Sequence, residues 1–292
     1  MSWVPSTLDG IVDDHPVAVF APLALLLSWV VLVLVFEITP TRSGLWFLGT
    51  GVGAFGPGVA AAVVTRLRGE SVRAWLAESF APLRSLRWYA LALAGPVAAT
   101  IGVAAIVFGF TGAPAVGAVV EVLPLAAFNL VMATILTGGN EEFGWRGFAL
   151  PHLQTTYSAF TASLLIGGLW TLWHAPLFVY GVYQMPAELY APSVLAFSVV
   201  LGWYYNTSGG SLLGAMLFHG GINSLLNLPG QIADSTDAVP IPYTGVMLVV
   251  FGVFAGLLLV RNGPDTLAAG DRVRPTWTGR DETADNSTAV DQ

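Results

Sequence analysis

The chain of 292 residues is 55% hydrophobic and only 10% charged, with a mean hydropathy of +0.70. Soluble domains carry about 25% charged residues, so this composition excludes an ordinary soluble protein and predicts an all-α, polytopic bundle of transmembrane helices. All eleven basic residues are arginine, and 18 acidic residues bring the net charge to −7. This balance gives no support to a nucleic-acid partner, which requires a basic stripe. The chain has no cysteine, which excludes disulfides, thiol nucleophiles and thiolate metal sites.

Residues 1–16 form a short acidic segment with Asp9, Asp13 and Asp14 and no basic residue. A secretory signal peptide begins with a positively charged region, so none is predicted here. The apolar run that follows is long enough to cross a bilayer and is expected to remain as the first membrane helix.

The membrane-embedded domain, residues 17–261, is predicted to contain about eight spans around a buried polar site. A helix needs about 20 mostly apolar residues to cross the hydrocarbon core. The sixth and seventh candidates are shorter, and are expected to be tilted helices or one helical hairpin around residues 206–210. The candidate spans are residues 17–36, 44–65, 88–110, 118–140, 158–180, 191–206, 211–228 and 242–260.

The distribution of arginine predicts the orientation, because short cytoplasmic loops are enriched in Lys and Arg. Five arginines lie in the connection 66–87. With eight spans and both termini in the cytoplasm, ten of the eleven arginines fall on the cytoplasmic side and only Arg42 falls outside. We therefore expect a multi-pass protein of the cell membrane with both termini cytoplasmic.

The C-terminal segment, residues 262–292, is rich in Asp, Thr, Gly and Pro and has no periodic apolar face. Such a composition buries too little apolar surface to offset the entropy of ordering. The sequence therefore predicts a disordered cytoplasmic tail.

Two adjacent carboxylates, Glu141 and Glu142, lie with Arg146 at the end of the fourth apolar segment. If this stretch is helical, Glu142 and Arg146 are four residues apart and can form an ion pair. Glu141 then points about 100° away and is available as a general base. The alternative interpretation is a solvated charge cluster in a cytoplasmic loop.

His174 lies in an apolar, aromatic run, with Trp170 four residues before it. It is either a core histidine whose ring is hydrogen-bonded to a backbone carbonyl or a histidine that takes part in a reaction. The chain has only four histidines, and only His174 and His219 fall inside predicted spans. Water does not solvate a polar side chain there, so solvation does not explain their presence. Polar groups at such positions are hypotheses for a functional site.

His219 and Asn223 are spaced four residues apart, so their side chains project from one helical face. They can direct two hydrogen-bond donors, or one nitrogen ligand and one donor, into a common cavity. The alternative is hydrogen bonding between helices, which is a common use of polar side chains in membrane bundles.

These three motifs, in this order on successive membrane helices, resemble the CAAX prenyl endopeptidase and bacteriocin-processing family (CPBP, or Abi) of intramembrane proteases. The resemblance covers roughly residues 118–228. The family's second motif usually begins with phenylalanine, whereas this chain has Trp170. Another aromatic side chain should still pack beside the histidine, so activity is expected.

The resemblance implies hydrolysis of a peptide bond in a membrane-associated protein or peptide. It implies that Glu141 and His174 activate water and that His219 and Asn223 stabilise the oxyanion. Glu142 and Arg146 would be structural or substrate-positioning partners.

A zinc-dependent mechanism is the alternative within this family, so the cofactor is either none or Zn²⁺. In that mechanism Glu141, His174 and His219 are the metal ligands, since one carboxylate and two histidines match a catalytic zinc shell. The sequence does not choose between the two mechanisms, nor does it reveal whether substrates are prenylated.

The predicted site imposes a condition on the helix bounds. At 1.5 Å per residue, Glu141 would lie at the surface, whereas His174 and His219 lie deep in their spans. For the three to meet, the fourth helix must continue to about Phe148 and the fifth must begin later than Ser158. Two other classes remain as alternatives, namely a transporter that uses the same polar residues and a non-catalytic membrane adaptor.

Overall fold

The computed structural model describes residues 6–80, 85–112, 114, 116–226, 228, 229, 232 and 243–277. Its described part is helical and contains no strand, which confirms the predicted fold class. The long helices are α2 Pro16–Ile38, α3 Gly44–Ala54, α4 Gly56–Leu67, α6 Leu86–Thr111, α7 Val116–Ile135, α10 Ala159–Trp173, α12 Ala187–Thr207, α13 Leu212–Leu225 and α14 Tyr243–Asn262. The short ones are α1 Ser6–Asp14, α5 Val72–Ser79, α8 Glu142–Gly144, α9 Leu150–Leu153 and α11 Ala175–Val179.

Among the described residues, seven helical segments are long and apolar enough to cross a membrane. They correspond to seven of the eight predicted spans. The remaining one is α13, whose apolar helix is shorter than a full span. The sixth span, α12, is longer than predicted because it begins at Ala187 rather than residue 191. Many large apolar side chains on these helices are exposed, as expected for surfaces that face lipid.

Short polar side chains and glycines set the helix ends. The hydroxyl groups of Ser43, Ser158 and Ser211 accept backbone N–H groups from the first turns of α3, α10 and α13, which satisfies donors that helix geometry leaves unpaired. Gly209 and Gly210, both with positive φ, form the turn between α12 and α13. The predicted hairpin at 206–210 is therefore present.

Three sets of helices surround the centre of the bundle. Helix α2 packs on α3 and α4, α13 packs on α6 and α7, and α12 lies against both α10 and α14. Helix α10 also contacts α2, which joins the sets. The middle of the fourth and fifth spans is thereby enclosed by protein.

The described part of the C-terminal segment, residues 263–277, is ordered against the bundle, which corrects the predicted disorder for these residues. Asn206 donates to the Thr266 carbonyl at 2.9 Å and accepts from the Val273 amide at 3.2 Å. Gln154 donates to the Val273 carbonyl at 2.7 Å, and Leu267 is fully buried. Side-chain amides on two helices supply the binding energy that the tail's own composition lacks. Residues 278–292 lie outside the described residues.

Candidate active site

The fourth span is broken at its centre, and the break carries the first motif. Helix α7 ends at Ile135, a 3₁₀ turn covers Gly139–Glu141, and a π-helical turn covers Trp145–Ala149. Continuation of this span to Leu153 and the start of α10 at Ala159 confirm the predicted condition on the helix bounds. Irregular turns of this kind often occur at functional sites, because they turn side chains out of the regular helical register.

Glycines allow this break to approach its neighbours. Gly138 has φ +149°, which disfavours other residues, and its amide donates to the Asn140 side chain at 3.1 Å. A Cβ on Gly139 would lie 2.8 Å from the Met216 carbonyl oxygen, and a Cβ on Gly144 would lie 2.6 Å from the Pro57 carbonyl oxygen. The break is thus fixed between α4 and α13.

Glu142 is at the centre of a buried ionic network. Its Oε1 accepts from Arg146 Nη1 at 3.0 Å and from His219 Nδ1 at 2.8 Å, and Arg146 Nη2 donates to the Ser198 hydroxyl at 3.0 Å. Glu142 is 0% exposed and Arg146 1% exposed. The predicted ion pair is therefore present, and the alternative of a solvated loop cluster is wrong. Buried charges persist only when they are paired and hydrogen-bonded.

Glu141 is also buried, and it points away from Glu142 towards α10. Its Oε2 accepts a hydrogen bond from the indole nitrogen of Trp170 at 2.7 Å. The two neighbouring carboxylates thus have separate partners. Only Glu142 has a salt bridge, so Glu141 is the carboxylate available for chemistry.

His174 lies at the C-terminal end of α10 and is buried. Its Nδ1 is 2.7 Å from the Trp170 carbonyl oxygen. A carbonyl oxygen can only accept, so Nδ1 carries the proton and Nε2 of the neutral ring has the lone pair. The ring packs against both Tyr183 and Tyr190, with ring centroids at 5.8 Å and 5.3 Å.

His219 and Asn223 both lie beside Gly138. A Cβ on Gly138 would be 3.1 Å from His219 Nε2 and would collide with Asn223 Nδ2, so the missing side chain leaves space in front of both nitrogens. Asn223 Nδ2 donates to the Thr137 carbonyl at 2.8 Å, and the Asn223 side chain is exposed. The predicted common face is observed, and one of its members reaches the protein surface.

Trp170 joins the three motifs. Its ring centroid is 4.9 Å from that of His219 and 5.9 Å from that of His174, and the Arg146 guanidinium carbon lies 5.0 Å from the ring centroid. The sequence indicated an aromatic side chain beside His174, but its donation to Glu141 was not predicted. The sequence did contain one indication of this hydrogen bond, because position 170 has tryptophan, which carries an indole N–H, where the resembled family usually has phenylalanine.

Tyr183 and Tyr190 are site residues that sequence reasoning missed. Their rings are in contact, with centroids 5.5 Å apart, and burial, with the nearby Glu141 charge, raises the pKa of Tyr183 to about 12. Tyr183 therefore remains a neutral hydrogen-bond donor near His174. It lies in a connection without periodicity, so no pattern in the sequence indicated it.

The zinc alternative requires Glu141, His174 and His219 to converge on one ion. Within the described residues, no three His, Cys, Asp or Glu side chains are arranged so that they could hold a metal ion. Glu141 instead accepts a hydrogen bond from the Trp170 indole. The described donor set does not fit Zn²⁺ in this arrangement.

Known proteins are similar to this chain in the same segment that carries the candidate site. Residues 123–225 match the family model described as type II CAAX prenyl endopeptidase, Rce1-like. A curated relative, CAAX prenyl protease 2 of Methanococcus maripaludis, is 33% identical over 141 residues, which cover 44% of this chain and 48% of the relative. The chain therefore matches about half the length of that relative. The matched segment contains all six predicted site residues, and it confirms the resemblance inferred from the motifs.

Proposed function

Because residues 123–225 match the Rce1-like family of CAAX prenyl endopeptidases, we propose that this chain is an intramembrane endopeptidase. Its substrate would be a membrane-associated protein or peptide in the lipid bilayer. The observation that carries the proposal is the arrangement of Glu141, His174 and His219 around the single indole of Trp170. A purely structural role in helix packing would not require a carboxylate without a salt bridge and two oriented imidazoles at one buried place.

Glu141 and His174 are proposed to activate the attacking water. The Trp170 carbonyl fixes the Nδ1 proton of His174, so Nε2 can accept a proton from water. The Trp170 indole orients the Glu141 carboxylate. A positioned general base contributes about 10²–10⁴-fold to the rate of such a step.

His219 and Asn223 are proposed to stabilise the tetrahedral oxyanion. With both ring nitrogens protonated, His219 donates to Glu142 through Nδ1 and to the oxyanion through Nε2. Asn223 Nδ2 lies on the same side of Gly138 and supplies a second donor. A preorganised donor of this kind is worth about 3–4 kcal/mol.

The reaction is a hydrolysis whose atoms balance without a co-reactant. Water loses one proton to the Glu141/His174 pair, and its oxygen bonds to the scissile carbonyl carbon. The carbon–nitrogen bond then breaks, and the retained proton passes to the leaving amine. Glu142 and Arg146 bind no reacting atom in this scheme, and they position His219 through the Glu142 hydrogen bond.

We also propose limits for the catalytic domain and an orientation in the membrane. Residues 17–261 would form the catalytic membrane domain, with both termini in the cytoplasm of a multi-pass protein in the cell membrane. The arginine distribution supports this orientation.

A comparison of peptide termini tests the proposed function, and it does not require the substrate to be identified beforehand. Membranes from cells with the native protein and with Glu141→Gln are compared, with Glu121→Gln as the matched control. Glu121 is an exposed residue of α7. We expect termini that are present with the native protein and Glu121→Gln but at least a hundredfold depleted with Glu141→Gln. Identical termini at equal protein levels would favour the adaptor or transporter instead.

A further inference from the structure

A cavity of about 920 Å³ lies between the first turns of α2, the residues that follow α9 and the middle of α10. Its volume falls within the range of about 300–1,000 Å³ that is usual for small-molecule sites. None of the six predicted site residues is among its described lining residues, so the cavity is separate from the candidate active site. The lining is polar at one end and apolar along the rest.

The apolar part of the cavity is a groove between α2 and α10. Leu165 and Gly168 are exposed, and a Cβ added to Gly168 would meet nothing within 4 Å. The groove is therefore open sideways, towards the lipid that surrounds the bundle. Its walls are formed by Val17, Ala18 and Ala21 of α2 and by Leu164, Leu165, Gly168 and Leu169 of α10.

The groove is about as deep as one leaflet of a bilayer. Leu169 is ten residues from Ala159, where α10 begins, and ten residues correspond to about 15 Å of helix. The hydrocarbon core is about 30 Å thick, so one leaflet contributes about 15 Å. Tyr157 is exposed at the polar end, and tyrosine is enriched at the membrane–water interface. A membrane lipid in this groove would thus have its head group at the polar end.

Arg68 lies at the polar end and has donors left for a ligand. Its side chain is only 6% exposed, and it lines the cavity. Nε donates to Glu70 at 2.8 Å, and Nη1 donates to the Val12 and Asp13 carbonyls at 3.1 and 2.7 Å. These bonds use three of the five guanidinium N–H groups, and Nη2 has no partner among the described residues. Guanidinium N–H groups bind phosphate oxygens through strong, charge-assisted hydrogen bonds.

Carboxylates lie beside this guanidinium and restrict the kind of phosphate that can bind. Asp13 and Asp14 both line the cavity, and Asp14 is exposed. Because Glu70 already pairs with Arg68, an added anion would be repelled by the two aspartates. A head group that carries an ammonium as well as a phosphate avoids this repulsion, since each charge then meets its opposite.

We propose that the cavity binds one phospholipid whose head group combines a phosphate with a primary ammonium, as in phosphatidylethanolamine. Nη2 of Arg68 binds the phosphate, the Asp14 carboxylate accepts from the ammonium, and an acyl chain lies in the groove between α2 and α10. A quaternary ammonium has no N–H to donate, and a head group with net negative charge leaves the aspartates without a counter-charge. The inference does not rest on the proposed function.

Native mass spectrometry of the full chain tests the lipid site. The chain is reconstituted in nanodiscs with equal amounts of phosphatidylethanolamine, phosphatidylglycerol and phosphatidylcholine that carry the same acyl chains, and the lipid retained after release is identified by its mass. We expect one retained phosphatidylethanolamine per chain, at least fivefold above each of the other two lipids. Equal retention of the three, or a preference for phosphatidylglycerol, would overturn the proposal.

A side chain that fills the groove tests the position of the lipid. Gly168→Leu extends into open space and displaces lipid without a clash at its Cβ. Gly256→Leu in α14 is the matched control, because Gly256 is also exposed and a Cβ there also meets nothing within 4 Å. We expect at least a tenfold loss of retained phosphatidylethanolamine with Gly168→Leu and less than a twofold change with Gly256→Leu. Equal retention in both variants would refute the site.

Asp14→Asn tests the head group while leaving the groove intact. We expect the preference for phosphatidylethanolamine over phosphatidylglycerol to fall at least threefold. Glu188→Gln removes an equal charge from an exposed residue in the first turn of α12, and it should keep the native preference. An unchanged preference with Asp14→Asn would contradict the charge complementarity. Lipid retention requires no proteolysis, so failure here and failure of the Glu141→Gln comparison are distinguishable.

Discussion

At the scale of single residues, two neighbouring glutamates have different environments. Glu142 has two charged or chargeable partners, Arg146 and His219. Glu141 has the neutral indole of Trp170. Removing one member of a buried ion pair typically costs 3–5 kcal/mol, so Glu142 is expected to be required for folding. Glu141 can be changed to glutamine with less effect on stability, which makes it the better residue for testing chemistry.

Substitution of Trp170 separates the indole hydrogen bond from the aromatic contacts. Trp170→Phe keeps a ring between the two histidines but removes the donor to Glu141. A hydrogen bond of this kind contributes about 0.5–1.5 kcal/mol, so we expect about a threefold to tenfold loss of Glu141-dependent termini. Trp170→Leu also loses the ring contacts and should lose at least tenfold more.

Trp173→Phe is the matched control for the Trp170 series. It lies on the same helix and is buried, and its indole nitrogen has no hydrogen-bond partner among the described residues. The peptide termini formed with Trp173→Phe should remain within about twofold of the native level, since no side-chain hydrogen bond is removed. If Trp170→Phe matched this control, the hydrogen bond to Glu141 would have no functional role.

At the scale of helices, glycines determine how closely α13 approaches the broken fourth span. A Cβ on Gly220 would lie 2.7 Å from the Thr134 backbone nitrogen, and a Cβ on Gly221 would lie 2.7 Å from the Pro96 ring. Small residues at helix interfaces let backbones approach closely in membranes. His219 precedes these glycines, so the close contact between helices also places the imidazole beside Gly138.

We expect Gly220→Ala to destabilise the bundle by about 1–3 kcal/mol, the usual cost of overpacking. The clash is with backbone, which cannot rotate away as a side chain can. Gly252→Ala in α14 is the control, because a Cβ there meets nothing within 4 Å. It should be neutral or stabilising by up to about 1 kcal/mol, through helix propensity. Thermal unfolding in detergent measures both, and equal midpoints would contradict the packing argument.

At the scale of the whole molecule, the C-terminal segment joins helices that are distant in sequence. Asn206 binds Gln154 through hydrogen bonds in both directions, at 2.6 and 3.1 Å, and it also binds Thr266 and Val273. Arg272 donates to the Tyr157 carbonyl at 2.6 Å. The ends of the fourth and sixth spans are therefore connected to the residues that follow the last span.

Asn206→Ala is expected to release residues 263–277 from the bundle. Loss of buried amide partners leaves donors and acceptors unsatisfied, at about 1–3 kcal/mol. Trypsin cleavage after Arg272 should become at least tenfold faster, as measured by mass spectrometry of the folded protein in detergent. Asn262→Ala is the control, since its side chain bonds only locally to Leu258, and cleavage at an equal rate in both variants would refute this role of Asn206.

The sequence by itself determined the membrane class, most of the spans and the residues of the predicted site. Apolar runs of about 20 residues and motifs spaced four apart are local patterns, and helix geometry converts them directly into spans and shared faces. Glu142 and Arg146 could be paired in advance because their contact is made within one helical segment.

Tertiary structure alone decided the remaining features of the site. The partners of Glu141 and His219 lie on other helices, and no local period encodes which indole or carboxylate meets them. Tyr183 lies in a connection, and the order of residues 263–277 depends on Asn206 and Gln154, far away in sequence. Such contacts are a property of packing between helices rather than of any single segment.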